Sequence, residues 1–361
     1  MTKILYISPE NTVGVLSSWK RAHEMNGHEC HFVTFFETAG GYENDIQLNL
    51  PLVAAKPWFI KTRVWMTRHL EHRTPWEDIG GNPPIWNPPA WQKGLIQLRE
   101  LLWKPKIEKA IRDFHMDDFD VYHFEWGTDF YRNGAFARRL KTAGKKIICH
   151  YHGQDMRNRG VIPVMDELSD LNLTNEFDLT FRHPNLKYLF LPFDVKSFEV
   201  RRGTGDPITI CHATTNRKVK GSDEIIRICR ELEQSHGIRF IFIENMPHEE
   251  AMRLKAQADI YIDQITDHAW GYGMNSLEAL SMGIVCGTYL NPTYEAFIPD
   301  HPFLNVHASD LKEKLIEVIE HPELLRQMSS ASHEWVEKYH DYRNVVQKLY
   351  EYYRAIGVEL T

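Results

Sequence analysis

Residues 267–283 read DHAWGYGMNSLEALSMG. Gly271 and Gly273 stand just ahead of a helical pattern that opens Asn275-Ser276-Leu277-Glu278. Glycine lets a backbone turn where a side chain would clash, or lets it approach a bound group closely. A helix start offers unpaired N–H groups and the positive end of a dipole, which suits an anion. Asn275 followed by Glu278 also has the spacing of a capping box, so a tight loop closed by its own helix would use the same residues. The surroundings of the stretch decide between these readings.

Apolar, β-rich runs flank it: DIYIDQI (259–265) before and GIVCGTYL (283–290) after. Upstream, ITICHA (208–213), a helical pattern over 222–236, RFIFIEN (239–245) and a helical pattern over 248–257 continue the alternation. In the 222–236 helix Ile225, Ile226, Cys229 and Leu232 share one face, Ser222 is the expected N-cap and Gly237 follows the end. The first half repeats the scheme with KILYIS (3–8), a helix at 15–26, ECHFVTFF (29–36), DVYHFEW (120–126), a helix near 130–143, KKIICHYH (145–152) and KYLFLPF (187–193). Strands alternating with helices predict parallel sheets covered on both faces. The polar segment DVKSFEVRRGTGDP (194–207) separates the two series. The chain therefore reads as α/β, with two Rossmann-like domains and a cleft between them. Residues 51–105 depart from the alternation and hold six of the ten tryptophans, at 58, 65, 76, 86, 91 and 103. The tail, about 310–356, is helical, with Val345, Leu349 and Tyr352 to one side.

At 361 residues two domains are the natural division. With 43% hydrophobic and 25% charged residues the composition is that of a soluble globular protein, and a net charge of −7 argues against nonspecific nucleic-acid binding. Five scattered cysteines (30, 149, 211, 229 and 286) fit core positions in a reduced compartment better than a disulfide framework. No run reaches the roughly 18 apolar residues that span a bilayer. MTKILYISPEN opens a strand rather than a signal peptide, so a cytoplasmic protein is expected.

NRKVKGSDE (216–224) sets Asn216, Arg217, Lys218 and Lys220 between a strand and a helix. Such a junction joins cationic side chains to backbone donors and suits phosphate, although a solvated polar turn has the same composition. It is the second such junction in this half, and ligands of parallel sheets sit at the carboxyl ends of the strands. Two metal-like patterns carry less. The Asp-x-Asp in DDFD (117–120) precedes its strand and reads as a surface turn. In GHECHF, strand alternation turns Cys30 away from His31. A nicotinamide dehydrogenase is disfavoured, because no Gly-x-Gly-x-x-Gly follows the first strand.

Residues 208–287 resemble the donor-binding half of a GT-B glycosyltransferase, most like the retaining glycosyltransferase family 4. The resemblance rests on HATTNRKVKG, on FIFIENMPHEEAMRLKAQADIYIDQ, and on GYGMNSLEALSMGIVCG with Gly273, Glu278, Ala279 and Gly283 in the family's pattern. In the first half Gly14, NGHECHFVTF, DVYHFEWG and HYHGQD agree with it. It implies an acceptor domain over 1–195 carrying the 51–105 insertion, a nucleotide-sugar domain over 208–335, and a C-terminal helix, 336–361, returning to the first domain. Lys220, helped by Arg217, would meet the donor diphosphate and Glu278 the ribose. Gly14, Asn216 and the main-chain N–H groups of Gly273, Met274, Asn275 and Ser276 would line the donor site, and His152 would face the transferred sugar. Two positions depart from the family: Trp270 stands in place of the first glutamate, and Thr215 in place of an arginine whose charge Arg217, two residues on, can supply. The implied activity is transfer from a UDP- or GDP-sugar, with retention and without metal or cofactor, to a glycan, glycolipid or other acceptor. Trp270 keeps open a binding relative without turnover, and an epimerase shares the architecture. The basic aromatic stretch at 56–73 suits stacking on sugars or peripheral contact with the inner face of a membrane. Alanine at Glu278 or Lys220 is expected to weaken nucleotide binding and spare the fold.

Overall fold

The computed structural model describes residues 1–37, 42–51, 83–200, 204–267 and 270–360. The 56–73 stretch and Trp58, Trp65 and Trp76 lie outside the described residues. The chain divides into two compact units, Met1–Leu189 with Val346–Thr361, and Phe190–Val345.

Among the described residues, the first unit holds β1 (Lys3–Ser8), β2 (Glu29–Thr34), β3 (Ile46–Gln47), β4 (Val121–Glu125), β5 (Lys146–Tyr151), β6 (Leu171–Thr174) and β7 (Leu186–Tyr188). They form one parallel sheet in the order β3-β2-β1-β4-β5-β6-β7. Its strands are buried on both faces, as Ile4, Leu5, Tyr6 and Ile7 in β1 show. That is why they read as continuous apolar runs. Leu5, Ile7, Tyr122, Phe124, Ile147 and Cys149 share one core cluster, each Ile or Leu side chain contributing about 1.5–3 kcal/mol.

The second unit holds β8 (Thr209–Thr214), β9 (Arg239–Glu244), β10 (Ile260–Ile262), β11 (Val285–Thr288) and β12 (Leu304–Asn305), parallel in the order β12-β11-β10-β8-β9. Ile225, Cys229 and Leu232 of helix Ser222–His236 pack against Ile210, Ile260 and Val285. All five cysteines are buried and free.

Several local expectations are corrected. Residues Ala90–Asp113 form a 24-residue helix inside and beyond the region set apart from the alternation. Ser222 does not cap its helix: Gly221, left-handed at φ +73°, does, and the buried Ser222 Oγ bonds His212 Nε2 at 2.8 Å. The tail is helical as expected, in three helices, Leu311–Glu320, Pro322–His340 and Tyr342–Ala355, so the expected helix over 336–361 is broken at Asp341. From Val346 the last of them belongs to the first unit, where Tyr350 OH meets His23 Nδ1 at 2.9 Å and Tyr353 OH meets His123 Nε2 at 2.5 Å.

Candidate functional site

Strand order reverses between β10 and β8 in the second unit, and a parallel sheet opens its crevice at such a point, beyond the carboxyl ends of the strands. The loop after β8 carries Asn216–Lys220, and the loop after β10 leads into helix Met274–Ser281. Residues 43 apart in sequence meet there: Lys220 Nζ is ion-paired with Asp263 Oδ1. Ser276 Oγ donates to the other oxygen, Asp263 Oδ2, at 2.7 Å. Burial works against the Asp263 charge, yet the Lys220 ammonium and the Ser276 hydroxyl hold its carboxyl below the usual range. One carboxylate thus orients the lysine of one junction and the helix start of the other.

The two glycines of the opening stretch do different work. A Cβ on Gly271 would lie 2.2 Å from the Tyr294 ring, so packing demands glycine there. Gly273 is extended, at φ −131° and ψ −164°, and a Cβ on it would meet open space. Its carbonyl accepts from Ser276 N and Leu277 N, while the N–H groups of Gly273, Met274 and Asn275 have no protein acceptor among the described residues. These free donors at a helix N-terminus are an anion-binding arrangement. Trp270 takes a left-handed φ of 62°, uncommon for a bulky side chain, and its carbonyl accepts from Asn291 N at 2.9 Å.

The capping-box reading is corrected. Gly273 is the N-cap, and Asn275 and Glu278 both turn to Lys255: its Nζ donates to Asn275 Oδ1 at 2.8 Å and is ion-paired with Glu278 Oε2. The side chains of Lys255 and Glu278 are only 1% and 10% exposed. Alanine at 278 would leave the buried Lys255 ammonium only the neutral Asn275 oxygen, so that change would strain the fold as well as the site. Arg217 is placed differently from Lys220: it is half exposed, forks onto Glu244 at 2.8 and 2.7 Å, and lies over the Phe242 ring. Asn216 caps the short helix Arg217–Lys220 through Val219 N.

In the first unit, strand order reverses between β1 and β4. Gly14 follows β1 in a left-handed conformation, with the Tyr42 ring 2.9 Å from where a Cβ would sit. His152 directly follows β5 as the N-cap of helix Gly153–Asn158. Its Nε2 faces Glu125 Oε2 at 2.7 Å and its Nδ1 faces Asn175 Oδ1 at 3.1 Å. Both ring nitrogens therefore address acceptors, the arrangement of a doubly protonated imidazolium. Burial opposes that charge, but the Glu125 hydrogen bond and carboxylate raise the His152 pKa to about 9. Glu125 is the residue the sequence reading missed. The signal was present: β4 and β5 pair in parallel with Glu125 opposite His150, so a carboxylate closing the apolar run VYHFE had to face the histidines of HYH. Donor atoms of Glu125, His150 and His152 lie within 4.8 Å of one another, close enough to hold a divalent ion such as zinc, although the direct Glu125–His152 hydrogen bond satisfies that pair by itself. His28, Cys30 and His31 do not converge; His31 Nδ1 meets Asp45 Oδ2 at 2.9 Å, and Cys30 is buried.

No family model matches this sequence, and no curated protein matches it. Solved structures do. Sucrose-phosphate synthase from Thermosynechococcus elongatus superposes with a TM-score of 0.60 at 12% identity, covering 99% of each chain. HepE of Anabaena, in complex with UDP, gives 0.56 at 13% identity over 98% of this chain and 100% of that one. A structure from Listeria monocytogenes described as a UDP-N-acetylglucosamine 2-epimerase gives 0.52 at 12% identity, over 99% and 97%. The neighbours include GT-B glycosyltransferases, and the two parallel-sheet units with full-length matches define the fold as GT-B. No helix among the described residues is long and apolar enough to cross a membrane.

Proposed function

We propose that the protein is a glycosyltransferase that moves a sugar from a nucleoside-diphosphate sugar, UDP- or GDP-linked, with retention and without a metal ion, in the manner of glycosyltransferase family 4. The observation that carries this reading is the Lys220–Asp263–Ser276 arrangement at the β8/β10 switch point, beside the unpaired N–H groups of Gly273, Met274 and Asn275. A departing diphosphate needs its growing charge stabilised, and a lysine with a helix N-terminus does this electrostatically. UDP in the HepE structure supports a nucleotide of that kind here. In this reading the second unit takes the donor and the first unit takes the glycan or lipid-linked acceptor, with His152 toward the transferred sugar.

Calorimetric titration with UDP, GDP and ADP in EDTA tests it. One diphosphate should bind with micromolar affinity, and Lys220→Ala and Glu278→Gln should each weaken it at least tenfold. A well-folded protein that binds none of them would sink the proposal. The Trp270 position supports a second reading, a relative that binds the donor without turnover; product analysis separates it, since only a transferase forms an acceptor-dependent glycosylated product and frees the nucleoside diphosphate. An epimerase would keep the nucleotide on its product.

A further inference from the structure

Helix Ala90–Asp113 carries two apolar faces. Trp103, Ile107, Ala110 and Ile111 are buried in the core of the first unit. On the other side Trp91, Leu95, Leu98 and Leu102 follow at intervals of four, three and four residues, which aligns them in one stripe along the helix. Leu101 widens it. Each of these five residues is between 45% and 66% exposed. Among the described residues no other helix exposes more than one large apolar side chain. A single leucine at a surface needs no explanation, but five neighbours on one helix face mark a surface that something covers.

The charge around the stripe has one sign. Lys104 flanks Leu101, Lys106 and Lys109 continue the same face beyond Leu102, Arg112 lies beside them, and all four are exposed. Asp113 is the helix's only exposed acid and is ion-paired with Lys109. Lys106 Nζ meets only a neutral oxygen, Asn49 O at 3.0 Å, and Lys104 and Arg112 have no ion pair among the described residues. The half-buried Glu100 and Glu108 carboxylates are engaged elsewhere, by Arg132 N at 2.7 Å and Tyr131 OH at 3.2 Å. In a chain of net charge −7 this is a local reversal of sign. A second copy of the chain docked on the stripe would set these cations against their own kind. An anionic bilayer satisfies both parts at once: leucines and a tryptophan enter the headgroup boundary while lysines reach lipid phosphates. The opposite face is committed to the core, so the helix would lie in the plane of such a surface and not cross it.

We infer that the outer face of helix Ala90–Asp113 docks the protein on an anionic membrane surface. The contact is separate from the 56–73 stretch and needs no nucleotide. That it holds the first unit beside a lipid-linked acceptor is a consequence resting on the proposed transferase reading; the docking itself does not. The test pellets the full-length protein with vesicles of equal parts phosphatidylglycerol and phosphatidylcholine, and with phosphatidylcholine alone. Binding should need the anionic lipid and weaken as salt is raised. Leu98→Ser with Leu102→Ser, and separately Lys104→Glu with Lys106→Glu, should each weaken it at least tenfold. The leucine pair is exposed, so its melting temperature should stay that of the wild type. The native cysteines are all buried, so a polarity-sensitive fluorophore on Leu98→Cys reports this face alone, and its emission should shift to the blue on anionic vesicles. No pelleting with anionic vesicles, equal pelleting with neutral ones, or pelleting unmoved by both pairs of substitutions overturns the inference. So does a dimer in light scattering that Leu98→Ser with Leu102→Ser dissociates, which would assign the stripe to a second copy. UDP affinity read on the same variants should be unchanged. A wild type that binds vesicles but no nucleotide would defeat the donor-site proposal and leave this one standing.

Discussion

Glu125→Gln probes the first unit with almost no change in shape. The wild-type His152 ring is flanked by Glu125 and Asn175 and holds its proton with a pKa of about 9, against an ordinary 6.5. At about 1.4 kcal/mol per pH unit, that difference is roughly 3 kcal/mol of interaction favouring the charged ring. Glutamine keeps a hydrogen-bonding group but removes the charge, while burial, which lowers the pKa, remains. His152 should then titrate at or below 6.5. At pH 7.5 its protonated fraction would fall from nearly complete to about one tenth or less. Carbon-13 histidine NMR, with the resonance assigned by its absence in His152→Asn, reads this directly. The wild-type ring should stay charged between pH 5 and 8, and the variant ring should titrate within that range or below it. On the proposed transferase reading, with the charged ring serving the reaction, transfer at pH 7.5 should drop about tenfold and recover on acidification. A wild-type His152 that titrates near 6.5, or one whose pKa is unmoved by Glu125→Gln, refutes the reasoning.

Two further outcomes concern stability. Lys255→Met leaves Glu278 unpaired in a buried setting and should cost about 3–5 kcal/mol in urea unfolding, whereas adding Glu278→Gln should restore a large part of it; a neutral single variant would contradict the pairing. Buried His123, with a pKa lowered to about 3, and His212 and His340, lowered to about 4, are neutral in the fold, chiefly because burial disfavours their charge. Between those values and 6.5 the unfolded chain binds more protons, so stability is full above pH 6.5 and falls as pH drops toward 4. His152 has the opposite sign, its contribution being present below pH 6.5 and lost through about 9. A melting temperature that is flat from pH 7 to 5 would rule out the acid-side loss.

The strands were legible because a parallel sheet buried on both faces leaves an unbroken apolar run, as in KIICHY of β5. Helix Ser222–His236 was legible because its apolar face repeats at helical spacing. Helix Ala90–Asp113 was not, since Leu95, Leu98, Leu101 and Leu102 are exposed while Trp103, Ile107 and Ile111 are buried, and Gly94 and Pro105 interrupt it. With apolar residues all round, no single face repeats. The strand β6 hid for another reason, because the polar Asn172 and Thr174 are buried among its leucines. Two-residue strands such as β3 and β12 have no period to read.

The same contrast holds at the site, and it shows what a single sequence conveys. Lys220, Gly273 and Glu278 could be singled out because each lies in a local strand–helix junction whose chemistry is carried by neighbours in sequence. Asp263, Lys255 and Glu125 could not be assigned roles that way, because each acts through a residue brought beside it by strand pairing or helix packing. These partners change the chemistry rather than decorate it. Asp263 already holds the lysine expected to meet the diphosphate, so an incoming anion must draw Lys220 partly from an existing pair, and affinity will depend on how far that pair loosens. Lys255 makes Glu278 a fixed carboxylate whose second oxygen, Oε1, lies 3.9 Å from His248 and is not taken by the Lys255 pair. On the proposed donor-site reading, a ribose hydroxyl would meet an oriented acceptor, with the cost of placing it already met by the Lys255 pair when the protein folds.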